Sequence, residues 1–402
     1  MAHSNAGNPA NLKEEKLPRR DWILLPLICL LTLFFAAVSA ESIANRVFNS
    51  SETSLNSCLV LNDASTGVRG IPNSVCWEKI PEGQWTEYRF DKCGYREGIE
   101  CGPKPPGTYR IVMVGSSFAL GENVPVEKAF ATLLPAELSR QTGRRVELYN
   151  EGMGYGFARN TALRFNDVLA AQPDMVLWAL TPMDIGQGTA TRAEIAAKKA
   201  NRASWILSRV KDAYATNSIF AVMRAHVADT VIGVLLQHCF FERESQAQYV
   251  RSYLTGPERD SGFLKAETSP VWKLLLANFE IQAADIEGRT RSAGVPFVAV
   301  LVPNRAQAAM ISLGEDPVGY DPYKLDDELR SIIERHGGAY IDILPDFRSL
   351  HNHEQGYYPV DGHLNANGHA TISRLLAKAL AGGAIPALKA APLPQDAANQ
   401  GK

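Results

Sequence analysis

IVMVGSSFALG, residues 111–121, is an apolar run that breaks at Gly115 into two serines and closes on a second glycine, Gly121. Four consecutive apolar residues without alternation read as a strand covered on both faces, and a glycine followed by serines reads as a sharp turn into a helix. Such a turn presents a hydroxyl at the edge of a sheet, close to unpaired backbone N–H groups and the positive end of a helix dipole. With a base nearby the hydroxyl is a nucleophile; without one it is an ordinary turn residue.

On either side of this stretch the same alternation recurs. TYRIVMV (108–114), RRVELYNEG (144–152), PDMVLWAL (173–180), VPFVAVLVP (295–303) and AYIDIL (339–344) read as strands. EKAFATLLPAELSRQ (127–141), FARNTALRFNDVLA (157–170), YKLDDELRSIIERHG (323–337) and ANGHATISRLLAKAL (366–380) read as helices. Short apolar strands alternating with helices predict an α/β fold whose mainly parallel sheet is covered on both faces. Ligands of such sheets bind beyond the carboxyl ends of the strands, where GSS, NEGMGYG (150–156) and LTPMD (180–184) fall. The domain is expected to span 108–381, beginning after the KPPG of 104–107.

A base is offered far downstream, in YYPVDGHLNANGH (357–369), where Asp361 and His363 stand just ahead of the last helix. Imidazole near its ordinary pKa of about 6.5 accepts a serine proton around neutrality, and a carboxylate holds its tautomer. Each element alone is equally a plain turn or a polar loop; their conjunction is what points to catalysis.

The 402 residues are 46% hydrophobic with a formal net charge of -2, which offers nothing for nucleic acid to bind. Residues 1–21 are polar and carry Lys13, Lys16, Arg19 and Arg20; residues 22–40, WILLPLICLLTLFFAAVSA, carry no charge. A helix of that length rises roughly 28 Å, enough for a bilayer core. The basic flank predicts a cytoplasmic tail, a transmembrane anchor and an extracytoplasmic remainder, periplasmic or on the outer face. A signal peptide cleaved after Ala40 is the competing reading, and it too exports the rest.

Four cysteines, Cys58, Cys76, Cys93 and Cys101, crowd into an N-terminal extension, 41–107, that is rich in Ser, Asn, Gly and Pro. An exported segment so poor in apolar residues suits two disulfides, with Cys58–Cys76 and Cys93–Cys101 the preferred pairing among three. The absence of CxxC spacing argues against zinc. Residues 186–290 read as a helical insertion over the sheet edge, with helices that simply pack on the core the plainer reading, and 382–402 as a disordered Pro- and Ala-rich tail. His351 and His353 form an HxH without an evident third metal ligand, and His369 reads as a packing residue on the last helix. Neither a dinucleotide fingerprint nor a P-loop is present, and ester chemistry needs no cofactor.

From about 109 to 381 the chain resembles the SGNH, or GDSL, hydrolases: GSS matches the first block and DGHLNANGH the last, in the family's order. The resemblance implies a three-layer α/β/α sandwich with Ser117 as nucleophile, His363 as base and Asp361 as its orienting acid. Two departures stand out. Ser116 occupies the position where the family has Asp, and Met183 in ALTPMDI the position of an asparagine that helps form the oxyanion hole. A thioether donates no hydrogen bond. The backbone N–H groups of Ser117 and Gly154 remain as expected donors, with the loop at Thr181 as a further source and Asn150 bracing the glycine turn. The implied activity is that of a membrane-anchored serine esterase acting on an O-acyl ester, whether a small ester, an acylated glycan or a lipid. An O-acyltransferase to polysaccharide, and a catalytically silent glycan- or lipid-binding protein, are the alternatives.

Overall fold

The structure, a computed structural model, describes residues 18, 20–48, 54–63, 67–186, 230–243, 246–314, 316–350 and 353–389. The polar leader ahead of residue 18, the part of the expected insertion at 187–229, His351 and the tail from 390 lie outside the described residues.

Helix α1 (Asp21–Phe48) runs beyond the uncharged segment. Its stretch Asp21–Val47 contains an 18-residue window of mean hydropathy 2.6, none of it buried, and is long and apolar enough to cross a membrane. The extension that follows folds into two antiparallel pairs, β1 (Leu59–Asp63) with β2 (Gly67–Gly70) and β3 (Val75–Glu78) with β4 (Thr86–Arg89). Cys58 is bonded to Cys76 and Cys93 to Cys101, with Cα atoms 6.0 and 6.2 Å apart, while Cys29 and Cys239 are free. Despite its polar composition the extension has a small core of Leu55, Leu59, Val68, Tyr88 and Phe90, which closes on Leu120 and Met153 of the larger domain. It is therefore packed against the sheet edge where the serines stand.

The larger domain begins with β5 (Thr108–Gly115), α2 (Ser117–Leu120), α3 (Phe130–Thr142) and β6 (Arg145–Gly152). Next come α4 (Ala158–Leu163), α5 (Phe165–Ala170), β7 (Met175–Leu180) and α6 (Pro182–Gly186). The single helix expected over 157–170 is split at Arg164, whose buried guanidinium donates to Val68 O at 2.9 Å and Glu151 O at 2.6 Å. After α7 (Val231–Arg243), α8 (Gln246–Leu254) and α9 (Glu258–Ser261) comes α10 (Pro270–Ser292). The chain ends with β8 (Phe297–Leu301), α11 (Arg305–Leu313), α12 (Lys324–His336), β9 (Ala339–Ile341), α13 (Leu344–Arg348) and α14 (Ala366–Ala379).

The five strands β6-β5-β7-β8-β9 form one sheet, parallel throughout. All eight residues of β5 are buried, as an unalternating run requires. Val112 and Val114 face the layer of α10 and α12, whereas Ile111 and Met113 face that of α3 and α14. The result is the three-layer α/β/α sandwich that the alternation and the resemblance predict. Helix α10, read from sequence with the insertion, instead forms part of a covering layer: Phe279 packs on Trp178 with ring centroids 5.2 Å apart. The expected disordered tail also starts too early, because Ile385 and Leu388 are buried in the core.

Because β5 is followed in the chain by its neighbour on one side and then by its neighbour on the other, the direction of winding reverses at β5. A ligand crevice in a doubly wound sheet opens at that point, beyond the carboxyl ends of β5 and β7.

Candidate active site

The turn after β5 is tight because two backbones come close to it. Gly115 has φ +150°, and a Cβ there would stand 2.4 Å from Ala179 O. A Cβ on Gly152, at the end of β6, would stand 2.4 Å from Leu120 N. With both side chains absent, α2 seats against the sheet edge and Ser117 becomes its first residue, with Ser116 at the N-cap.

Facing this turn, the loop 357–364 is closed by Tyr358 N donating to His363 O at 2.9 Å and Gly362 N donating to Tyr358 O at 3.0 Å. Asn365 then caps α14, accepting from Asn367 N and Gly368 N. This geometry brings His363 Nε2 to 2.8 Å from Ser117 Oγ. The other ring nitrogen, Nδ1, lies 2.7 Å from Asp361 Oδ1, which also accepts from His363 N at 3.1 Å and Asn123 Nδ2 at 3.2 Å. Since an ionised carboxylate only accepts, Nδ1 carries a proton, and in the neutral imidazole Nε2 is free to take the serine's.

The electrostatics are more acidic than two residues imply. Glu78 and Glu122 also act on the imidazole. Burial alone would lower the His363 pKa, but the charge and hydrogen bond of Asp361, then Glu122 and Glu78, outweigh it and raise the imidazole to about 9. Burial raises Asp361 in turn, yet the charge of His363 and the hydrogen bonds it accepts hold it below its ordinary value. Glu78 is lifted to about 7 by burial and by repulsion from Glu122, and Glu122 is itself raised, chiefly by burial.

The Ser116 hydroxyl points away from the imidazole and donates to Asp184 Oδ2 at 2.9 Å. That oxygen also accepts from Thr181 N at 2.7 Å and Thr181 Oγ1 at 2.6 Å. Both donors of Thr181 are therefore committed to Asp184, which corrects the expectation of an oxyanion donor from Thr181 itself. The carboxylate beside Ser116 is thus supplied by α6, which follows the neighbouring strand β7. Asn150 is likewise engaged, donating to Ala119 O at 3.0 Å and accepting from Gly152 N at 2.9 Å. The N–H groups of Ser117 and Gly154 have no acceptor among the described residues. Met183 lies on α6, 39% exposed.

His369 is outside this arrangement. Its Nδ1 accepts from Phe130 N at 3.2 Å and its ring stacks on Phe130, while burial, then Arg96 and His363, lower its pKa to about 3. Of His353 only the backbone is described, in a short 3-10 turn over His353–Gly356.

Four residues of this edge were not singled out by sequence: Asp184, Asn123, Glu78 and Glu122. Asn123 has φ +68° in the turn after α2, and its N–H donates to Tyr88 OH at 2.8 Å. An asparagine beside a glycine-rich turn was the one available signal for it.

No family model matches the chain, and no curated protein matches it. Among solved structures it is similar to a protein titled TesA, at 11% identity over 68% of this chain and 98% of that one, with a TM-score of 0.38. It is similar to a lipase/acylhydrolase from Enterococcus faecalis at 12% identity, over 68% of this chain and 96% of that one, with a TM-score of 0.38. A catalytic mutant of an acetylxylan esterase from Geobacillus stearothermophilus is similar at 11% identity, over 67% of this chain and 93% of that one, with a TM-score of 0.37. Likenesses this distant say nothing of what this chain acts on.

Proposed function

We propose that the chain is a serine ester hydrolase of the SGNH (GDSL) type, held at a membrane by α1, that removes an acyl group from an O-acylated envelope glycan or lipid. The observation that carries this reading is the unbroken path Ser117 Oγ to His363 Nε2 and His363 Nδ1 to Asp361 Oδ1, at 2.8 and 2.7 Å.

In this mechanism His363 takes the Ser117 proton as Oγ bonds to the ester carbonyl carbon, and Asp361 supports the imidazolium. The N–H groups of Ser117 and Gly154 receive the negative oxygen of the tetrahedral intermediate. His363 returns the proton to the departing alcohol as the C–O bond breaks, leaving acyl-Ser117. Water, deprotonated by His363, then attacks the acyl carbon and releases the acid and the free serine. Anchorage by α1 and two disulfides fit a catalytic domain on the extracytoplasmic side.

Hydrolysis of short acyl esters and labelling by a fluorophosphonate probe test the reading in the full-length protein. Ser117→Ala is expected to abolish both, and Ser116→Ala to leave a slower enzyme that still labels. Labelling that survives in Ser117→Ala and vanishes in Ser116→Ala would overturn the assignment of the nucleophile. A folded wild type that neither labels nor hydrolyses would leave glycan or lipid binding as the function. Transfer of the acyl group to an added sugar in preference to water would make the protein an acyltransferase.

A further inference from the structure

The β3–β4 hairpin ends in a turn that carries Glu82, and this turn touches the loop that bears Asp361 and His363. The Glu82 side chain is 0% exposed. Its Oε1 accepts from Val360 N at 2.9 Å and lies 2.7 Å from His238 Nδ1 on α7; its Oε2 accepts from Asp361 N at 2.6 Å. A carboxylate removed from water is costly unless its lone pairs are filled, and here two backbone N–H groups and an imidazole N–H fill them.

The loop needs this partner as much as Glu82 does. Its own hydrogen bonds join Tyr358 to His363 and to Gly362, at its base, and leave the N–H groups of Val360 and Asp361 pointing outward. Those two groups are the ones Glu82 takes. Fixing the Asp361 N–H fixes its Cα, and with it the direction in which the carboxylate leaves the backbone towards Nδ1 of His363. Tyr88, on the same hairpin, accepts from Asn123 N at 2.8 Å, and the Asn123 side chain donates to Asp361 Oδ1 at 3.2 Å. The hairpin therefore reaches Asp361 by two routes, one at its backbone and one at its carboxylate.

We propose that Glu82 is a positioning residue for the acid–base pair: from the disulfide-bonded extension it clamps the Val360–Asp361 backbone and so aims Asp361 at His363. The extension is then a working part of the active site as well as a spacer above α1. His238 braces the clamp from behind, and Glu41, in α1 just past its uncharged stretch, holds the start of α7 by accepting from Val231 N at 2.9 Å and Ile232 N at 3.1 Å. The clamp is thereby continuous with the membrane-side helix. This proposal rests on the serine-hydrolase reading only for its kinetic consequences.

The test uses the full-length protein in detergent, with Glu82→Ala and the isosteric Glu82→Gln. Misaiming a catalytic group by about 1 Å costs roughly a hundredfold, so Glu82→Ala is expected to lower kcat for a short acyl ester by about 10- to 100-fold with KM within about twofold. Glu82→Gln, which keeps one acceptor oxygen, is expected to lose less. The second readout is the downfield proton resonance of His363 Nδ1–H bonded to Asp361, which should shift or vanish in Glu82→Ala and persist in Glu82→Gln. Wild-type kcat and an unchanged resonance in a folded Glu82→Ala would overturn the proposal. So would a loss of kcat matched by a rise in KM with the resonance intact, the result for a residue that merely docks the extension. Should Glu82→Ala fail to fold, Glu82→Gln decides by kcat, a wild-type value sinking the idea. If the wild type hydrolyses no ester, the resonance alone judges the clamp, and the missing hydrolysis counts against the proposed function.

Discussion

Ser116 and Asp184, 68 residues apart in sequence, meet at 2.9 Å, so the carboxylate that braces the turn below Ser117 is supplied by α6, beyond the neighbouring strand, and not by the turn itself. Asp184 is 0% exposed, and its Oδ1 has no partner among the described residues. Asp184→Asn would place an unpaired amide N–H₂ at that buried point or turn it towards the three donors on Oδ2. Either outcome is expected to cost about 1–3 kcal/mol of stability in denaturant unfolding and to slow ester hydrolysis. Ser116→Ala, which removes one of three donors, should cost less on both counts. An Asp184→Asn protein as stable and as fast as wild type would show that the brace is dispensable.

The acidic surroundings of His363 set a pH dependence. With the imidazole raised to about 9, most of it is protonated at neutrality, and only the neutral form can take the Ser117 proton. The profile of kcat/KM is expected to climb with pH and level off near that value. Glu122→Gln removes one of the carboxylates that hold the proton, so its profile should level off at lower pH. The same proton favours the fold: that contribution is complete below the ordinary imidazole value of 6.5 and is lost as pH rises through about 9. Coincident profiles for wild type and Glu122→Gln would remove Glu122 from the site's electrostatics.

The resemblance sets Met183 at the position of an oxyanion-hole donor, and replacing it tests that expectation. The side chain is 39% exposed on α6, so an asparagine of smaller volume should be tolerated there without loss of stability. Losing one such donor in a serine hydrolase costs on the order of a hundredfold in kcat, and Met183→Asn is expected to recover part of that, roughly tenfold. An unchanged rate in a folded variant would mean that the N–H groups of Ser117 and Gly154 suffice.

The Cys58–Cys76 bond joins the start of the extension to β3, whose hairpin carries Glu78 and Glu82. Its loop spans a sequence separation of 18, for which the chain-entropy model gives a stabilisation of about 3 kcal/mol. A Cys58→Ser, Cys76→Ser double variant should lose about that much in unfolding experiments, and should lose ester hydrolysis at temperatures well below the melting of the larger domain. Activity that outlasts the melting of the extension would show that the hairpin is not needed at the site.

Local sequence determined the sheet strands of the larger domain and their order, though not the split at Arg164 or the strands of the extension. The unalternating β5 run reads as a strand buried on both faces, the break at Gly115 as a turn, and the uncharged segment from Trp22 to Ala40 as a helix long enough for a bilayer core. These are properties of neighbouring residues, and the motif residues Ser117, Asp361 and His363 were legible for the same reason: each sits in a short distinctive stretch. Tertiary structure decided what surrounds them. Asp184, Glu82, Glu78, Glu122 and Asn123 carry no local signature, because a carboxylate or amide in a polar turn looks the same whether water or a buried N–H will be its partner. Only the folded chain, which brings the hairpin tip at Glu82 onto Asp361 across a sequence separation of 279, removes the water and leaves those partners facing one another.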